Sequence, residues 1–148
     1  MSSYALAHIV HLFCALVFVG GVFFEALVLS ALHKGTLPKE VRRQAEQTVA
    51  RRAAKVMPFV VLGVFVSGIT MAVVRWLPVL ADPSASAFGI QLALKILLAC
   101  GVLLHFVIAV TKIRKGTMNK AWSRYIHTAV LVQMILIVLL AKTMFYLG

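Results

Sequence analysis

YALAHIVHLFCALVFVGGVFFEALVLSAL, residues 4–32, is an apolar run in which only His8, His11 and Glu25 readily carry charge. It exceeds the roughly 20 residues that cross the hydrocarbon core of a bilayer. It is also too long for a signal-peptide core, and Met1-Ser2-Ser3 in front of it holds no basic residue, so it reads as a retained helix rather than a cleaved leader. Three more runs of membrane-spanning length lie further along, at about 56–80, 88–111 and 124–147. The pattern predicts an all-α integral membrane four-helix bundle, a single transmembrane domain over residues 1–148 with helices at about 4–32, 56–80, 88–111 and 124–147. Composition agrees. Hydrophobic residues make up 62% of the chain and charged residues 13%, mean hydropathy is +1.00, and a soluble domain has no interior large enough for that much apolar surface.

Charge is segregated as well as scarce. Fifteen Lys and Arg stand against four acids, a formal net charge of +11. Lys34, Lys39, Arg42, Arg43, Arg51, Arg52 and Lys55 fall between the first two runs, and Lys112, Arg114, Lys115, Lys120 and Arg124 between the last two. The middle connection, Ala81-Asp82-Pro83-Ser84-Ala85-Ser86-Ala87, has turn formers and no base. The positive-inside rule then makes both basic loops cytoplasmic and puts both termini outside, in a multi-pass protein of a bacterial cytoplasmic (inner) membrane. This placement accounts for the basic balance through the lipid bilayer and excludes nucleic acid as the partner. Residues 38–55 alternate charged and small side chains without a Gly, which predicts that the second helix begins before the membrane and lays a basic face towards anionic headgroups. His33, beside Lys34, reads as an exposed interfacial residue. Cys14 and Cys100 sit in apolar runs without CxxC spacing and read as packing residues.

Lys34-Gly35-Thr36-Leu37-Pro38-Lys39 is echoed by Lys115-Gly116-Thr117-Met118-Asn119-Lys120. A basic last turn succeeded by Gly marks a helix C-terminus, with Thr positioned to cap the next helix. Either two duplicated hairpins or convergent turn chemistry produces such an echo.

In a bilayer the informative residues are ionisable, since a charged side chain at the centre of a helix costs about 2.5–3.5 kcal/mol on insertion scales. His8, His11, Arg75 and Lys95 fall in the outer half by this register, and Glu25, His105 and His127 in the inner half. His11 and Glu25 share a face with Ala15, Phe18 and Val22. Histidines on different helices, cations for propionates and small residues that make room are what a b-type haem needs. The candidate cofactor residues are accordingly His8, His11, His105, His127, Arg75 and Glu25, with Lys95 and Arg75 facing propionates, His11 on the haem iron, and His105 with His127 as a second iron site. Gly20, Gly21, Gly63, Gly68 and Gly101 are the candidates for space. Copper is the alternative cofactor, with Met57 and Met71 joining the histidines in a transport or resistance protein. A third reading makes the buried polar groups pure helix-packing devices in a subunit of a larger complex.

The stretch from His11 to Phe23, ending at His33, resembles the first helix of the HemJ-type membrane proteins, which oxidise protoporphyrinogen IX, and of the related copper-resistance D (CopD) family. Leu92-Ala93-Leu94-Lys95 with His105 beyond it is similar to that family's third helix, and the segment from Arg124 to Lys142-Thr143-Met144-Phe145 to its last. The resemblance implies a b-type haem protein with His11 as an axial ligand and Lys95 as the catalytically important residue, a haem-dependent membrane oxidoreductase or electron carrier with a redox partner such as a quinone. Glu25 near the family's first-helix Arg, and His127-Thr128 in place of its Asn-Glu pair, favour a CopD-like relative over a protoporphyrinogen oxidase. Four helices enclose little interior, and a homodimer is one way to bury the polar faces. Alkaline phosphatase fused after Ser84 is expected to be active and fusions after Thr48 or Thr117 inactive; the reverse pattern contradicts the orientation.

Overall fold

The computed structural model describes residues 2–29, 31, 35–143, 145 and 146, so His33, Lys34 and Met144 lie outside the described residues. Every element in it is helical: α1 (Ser3–Phe23), α2 (Lys39–Met71), α3 (Leu77–Ala81), α4 (Ala87–Arg114) and α5 (Lys120–Thr143), with no strand among the described residues. Wider π-helical turns extend α1 over Phe24–Val28 and join α2 to α3 over Ala72–Trp76. Four helical stretches, Ser3–Val28, Lys39–Ala81, Ala87–Arg114 and Lys120–Thr143, are long and apolar enough to cross a membrane, which makes this a multi-pass membrane protein. Helix is the form that sequence and solvent both demand, because hydrocarbon offers no partner to a main-chain amide that is not bonded within its own segment.

Several ends of these helices have a chemical cause. Ser2 caps α1 by accepting from the Ala5 amide at 3.3 Å, and Ser86 caps α4 by accepting from the Gly89 amide at 3.0 Å. α2 starts at Lys39, well before its apolar part, as the alternation of charged and small residues in 38–55 predicts. Pro58 sits just past Lys55, where the polar part of α2 gives way to the apolar part. Pro78 lacks an amide hydrogen and crowds the carbonyl of Val74, which accounts for the widened turn just before it. Gly116, at φ +66°, closes α4: its amide bonds the Ile113 carbonyl at 3.1 Å and the Thr117 amide bonds the Lys112 carbonyl at 2.9 Å, a Schellman arrangement. α5 is then capped by Asn119, whose Oδ1 accepts from the Trp122 amide at 2.9 Å. The expectation that Thr117 would supply this cap is not met; its hydroxyl turns back to the Lys112 carbonyl at 3.5 Å.

The chain divides into two compact units, Met1–Thr70 and Met71–Gly148. The first is an antiparallel pairing of α1 with α2. Its seam is built from glycines that receive side chains from the facing helix: Met57 fills the place of a Cβ on Gly21, Cys14 Sγ lies 2.6 Å from that position on Gly63, and His11 lies 3.2 Å from it on Gly68. Phe18 and Val22 are buried along the same face of α1. The second unit is a hairpin of α4 and α5 around Val102, Ile126, Val130 and Met134, with Gln133 filling the Cβ position of Gly101. Trp76 and Phe88 stack at 4.9 Å, and Phe88 meets Phe145 edge-on at 6.0 Å.

Burial is shallow throughout, and no large described side chain is less than 2% exposed. Phe59 is 76% exposed and Leu97 68%, surfaces that acyl chains cover in a bilayer. One close approach is testable. A Cβ on Gly89 would lie 2.6 Å from the Pro83 carbonyl oxygen, whereas nothing lies within 4 Å of one on Gly20. Gly89→Ala is expected to cost about 1–3 kcal/mol, as overpacking does. Gly20→Ala should be neutral or slightly stabilising, both read from unfolding midpoints in the same detergent.

Candidate functional site

In the first unit the polar centre is His11. Its Nδ1 lies 3.0 Å from the Val64 carbonyl oxygen and 3.2 Å from Ser67 Oγ, both on α2. A carbonyl can only accept, so Nδ1 carries the hydrogen and Nε2 carries the ring's lone pair. Ser67 is itself fixed, donating to the Gly63 and Val64 carbonyls, and is buried to 5% exposure. The imidazole is thus held by a main-chain carbonyl, a hydroxyl and the Gly68 surface. His8, one turn earlier, is exposed and packs against Tyr4 at 6.0 Å between ring centroids, so the two histidines do not share the seam. Glu25 lies in the π-helical turn after α1, half-buried and engaged in a further interaction. Met57 sits opposite Gly21, about 15 Å from His11 along the helices at 1.5 Å per residue, too far for one ion to bind both.

The second unit repeats the imidazole arrangement twice. His105 Nδ1 donates to the Gly101 carbonyl at 2.7 Å, and Tyr125 OH lies 3.4 Å from its Nε2. His127 Nδ1 donates to the Ser123 carbonyl at 2.7 Å. Each ring satisfies its Nδ1 on its own helix, and the Tyr125 hydroxyl approaches Nε2 of His105 from α5. Among the described residues no group of three or more His, Cys, Asp or Glu is assembled. Arg75 occupies the second π-helical turn, its guanidinium 5.4 Å from the Trp76 ring centre.

Lys95 is half-buried on α4, and no acceptor meets its ammonium among the described residues. One turn before it, the buried Oε1 of Gln91 has no donor. The reason is compositional: the four acids are Glu25, Glu40, Glu46 and Asp82, so nothing after Asp82 can offer a carboxylate to Lys95.

The α4–α5 hairpin also carries an open groove of about 810 Å³, lined among others by His105, Lys120, Arg124, Tyr125, Thr128 and Val132. Gln133 closes one end, its Oε1 buried without a donor. From sequence, Lys120 and Arg124 are only loop charges, and Tyr125, Gln91, Gln133 and Ser67 carry no distinguishing mark among the apolar runs. Gln91 is the exception in principle, because it stands four residues before Lys95, and positions i and i+4 share a helix face. Four of the candidate glycines receive side chains: Gly21, Gly63, Gly68 and Gly101 face Met57, Cys14, His11 and Gln133, and nothing lies within 4 Å of a Cβ on Gly20.

Comparison with known proteins finds no family model, no curated protein and no solved structure that matches the chain. In metal-free protein labelled with nitrogen-15 histidine, His11 and His105 are expected to carry their hydrogen on Nδ1, with signals assigned by His11→Gln and His105→Gln. A His11 ring protonated only on Nε2 contradicts the bond to Val64.

Proposed function

We propose that this protein is a haem-binding electron carrier or oxidoreductase of a bacterial cytoplasmic membrane, of the HemJ and CopD type. The observation that carries the reading is the tautomer shared by His11, His105 and His127. Each donates Nδ1–H to a main-chain carbonyl, the kind of outer support that orients a metal-bound imidazole. His11 is the favoured axial ligand, because the carbonyl and hydroxyl that meet its Nδ1 come from a second helix, whereas the carbonyls that meet Nδ1 of His105 and His127 belong to their own helices. On the other hairpin, Lys95, whose ammonium meets no acceptor among the described residues, and the amide of Gln91 one turn away suit a carboxylate such as a propionate.

A bound haem supplies a one-electron iron couple. The chain's own part is to orient the imidazole through Val64 and Ser67, to place a cation for the carboxylate, and to keep bulk water out with apolar helices. In the alternative copper reading Met57 stands about 15 Å from His11 along their hairpin, which leaves Met71, three residues beyond Gly68, as the nearer methionine. The orientation, with Lys120 and the 33–55 loop on the cytoplasmic side, rests on charge distribution.

His11→Ala is expected to lower haem per protein, read from the reduced pyridine haemochrome, at least tenfold, while His8→Ala leaves it within twofold. Unaltered haem in His11→Ala contradicts the ligand assignment. Lys95→Met is expected to retain the Soret band but weaken haem retention on dilution into detergent, as loss of a carboxylate partner does; retention equal to that of the parent protein removes Lys95 from the site.

A further inference from the structure

The α4–α5 groove has chemistry that the haem reading does not use. From Lys120 to Gln133 it runs along about 20 Å of the α5 axis. Cations stand at one end, Lys120 and Arg124, and the track beyond them is small or apolar, through Ala129 to Val132. Neither cation has an acidic partner among the described residues, and none exists on the hairpin: after Asp82 the sequence holds Lys95, Lys112, Arg114, Lys115, Lys120, Arg124 and Lys142 but no Asp or Glu. The counter-charge must come from outside this hairpin.

Position and neighbours say what kind of anion. Trp122 and Tyr125 meet edge-on at 5.8 Å, and the Lys112 ammonium sits 4.1 Å from the Trp122 ring centre. Paired aromatics and a basic last turn mark the depth of lipid headgroups at a helix end. Tyr125 OH and the His105 ring lie at the same level, adding a hydroxyl beside the two cations. A groove with phosphate-binding chemistry at headgroup depth and an apolar track running inward fits one molecule already present at that place. We infer that the groove is a binding site for an anionic phospholipid, its phosphate held by Lys120 and Arg124 and an acyl chain laid along Thr128, Ala129 and Val132. Basic pockets between transmembrane helices bind such headgroups, each cation strengthening the attachment several-fold.

The test uses the full chain released from nanodiscs containing phosphatidylglycerol and phosphatidylcholine, with lipid retention read by native mass spectrometry. The parent protein should retain phosphatidylglycerol preferentially. Lys120→Gln with Arg124→Gln should lower that retention roughly tenfold or more, the effect of two cations near the surface. Thr128→Trp, which fills the track at an exposed position without touching charge, should lower it too. Lys142→Gln, which removes a cation from an exposed position at the opposite end of α5, should not. Equal loss in the Lys142 control, unchanged retention in the groove variants, or equal retention of phosphatidylcholine overturns the proposal. So does displacement of the lipid by millimolar inorganic phosphate, which marks a free-anion site, and so does loss of haem in step with Lys120→Gln/Arg124→Gln, which marks a propionate site. Helical content by circular dichroism confirms that each variant is folded.

Discussion

Water is missing from the hydrocarbon layer, and that absence shapes the whole structure. A main-chain amide there has no partner unless the chain supplies one, so all four apolar stretches are helices. Side chains obey the same constraint. Ser67 and Thr70 bond carbonyls of their own helix, and His11, His105 and His127 each bond a main-chain oxygen. Between helices the hydrophobic effect offers little, because lipid tails are as apolar as leucine, so association comes from close packing. The glycine seam of α1 and α2 is that packing, with Met57, Cys14 and His11 set into Gly21, Gly63 and Gly68.

Among so many satisfied groups, the polar atoms left unmet stand out. The buried oxygens of Gln91 and Gln133 lie on the α4–α5 hairpin, as does Lys95, whose ammonium meets no acceptor among the described residues, and the hairpin has cations and no Asp or Glu. The shortage of acids on this hairpin connects the proposed carboxylate contact at Lys95 with the proposed lipid phosphate at Lys120 and Arg124. The two lie on different parts of the hairpin and differ in consequence. An ammonium among apolar side chains is energetically costly and bears on function, whereas cations at headgroup depth anchor and orient.

Much of the fold is legible in the sequence because membrane solvent makes length and charge decisive. The four spans, the early start of α2 at Lys39 and the Gly116 terminus are all products of local chemistry. Local chemistry does not contain which side chain fills which gap. Gly21, Gly63, Gly68 and Gly101 read as spare room, yet each meets a side chain from the helix opposite, and that pairing depends on register between helices. The same applies to the histidines. His8 and His11 are three apart and look like one face, but the glycine seam admits only His11. Thr117 reads as the cap of α5, yet Asn119, two residues on, takes that place once the Schellman closure has used the Thr117 amide.

An absorption spectrum of the purified, unmodified protein tests the central claim most directly, recorded oxidised and dithionite-reduced with metal analysis on the same sample. A Soret band, sharp reduced α and β bands and near-stoichiometric iron are the predicted result. A colourless protein without iron, after expression with ample haem, contradicts it and leaves the fixed imidazoles as helix-packing groups.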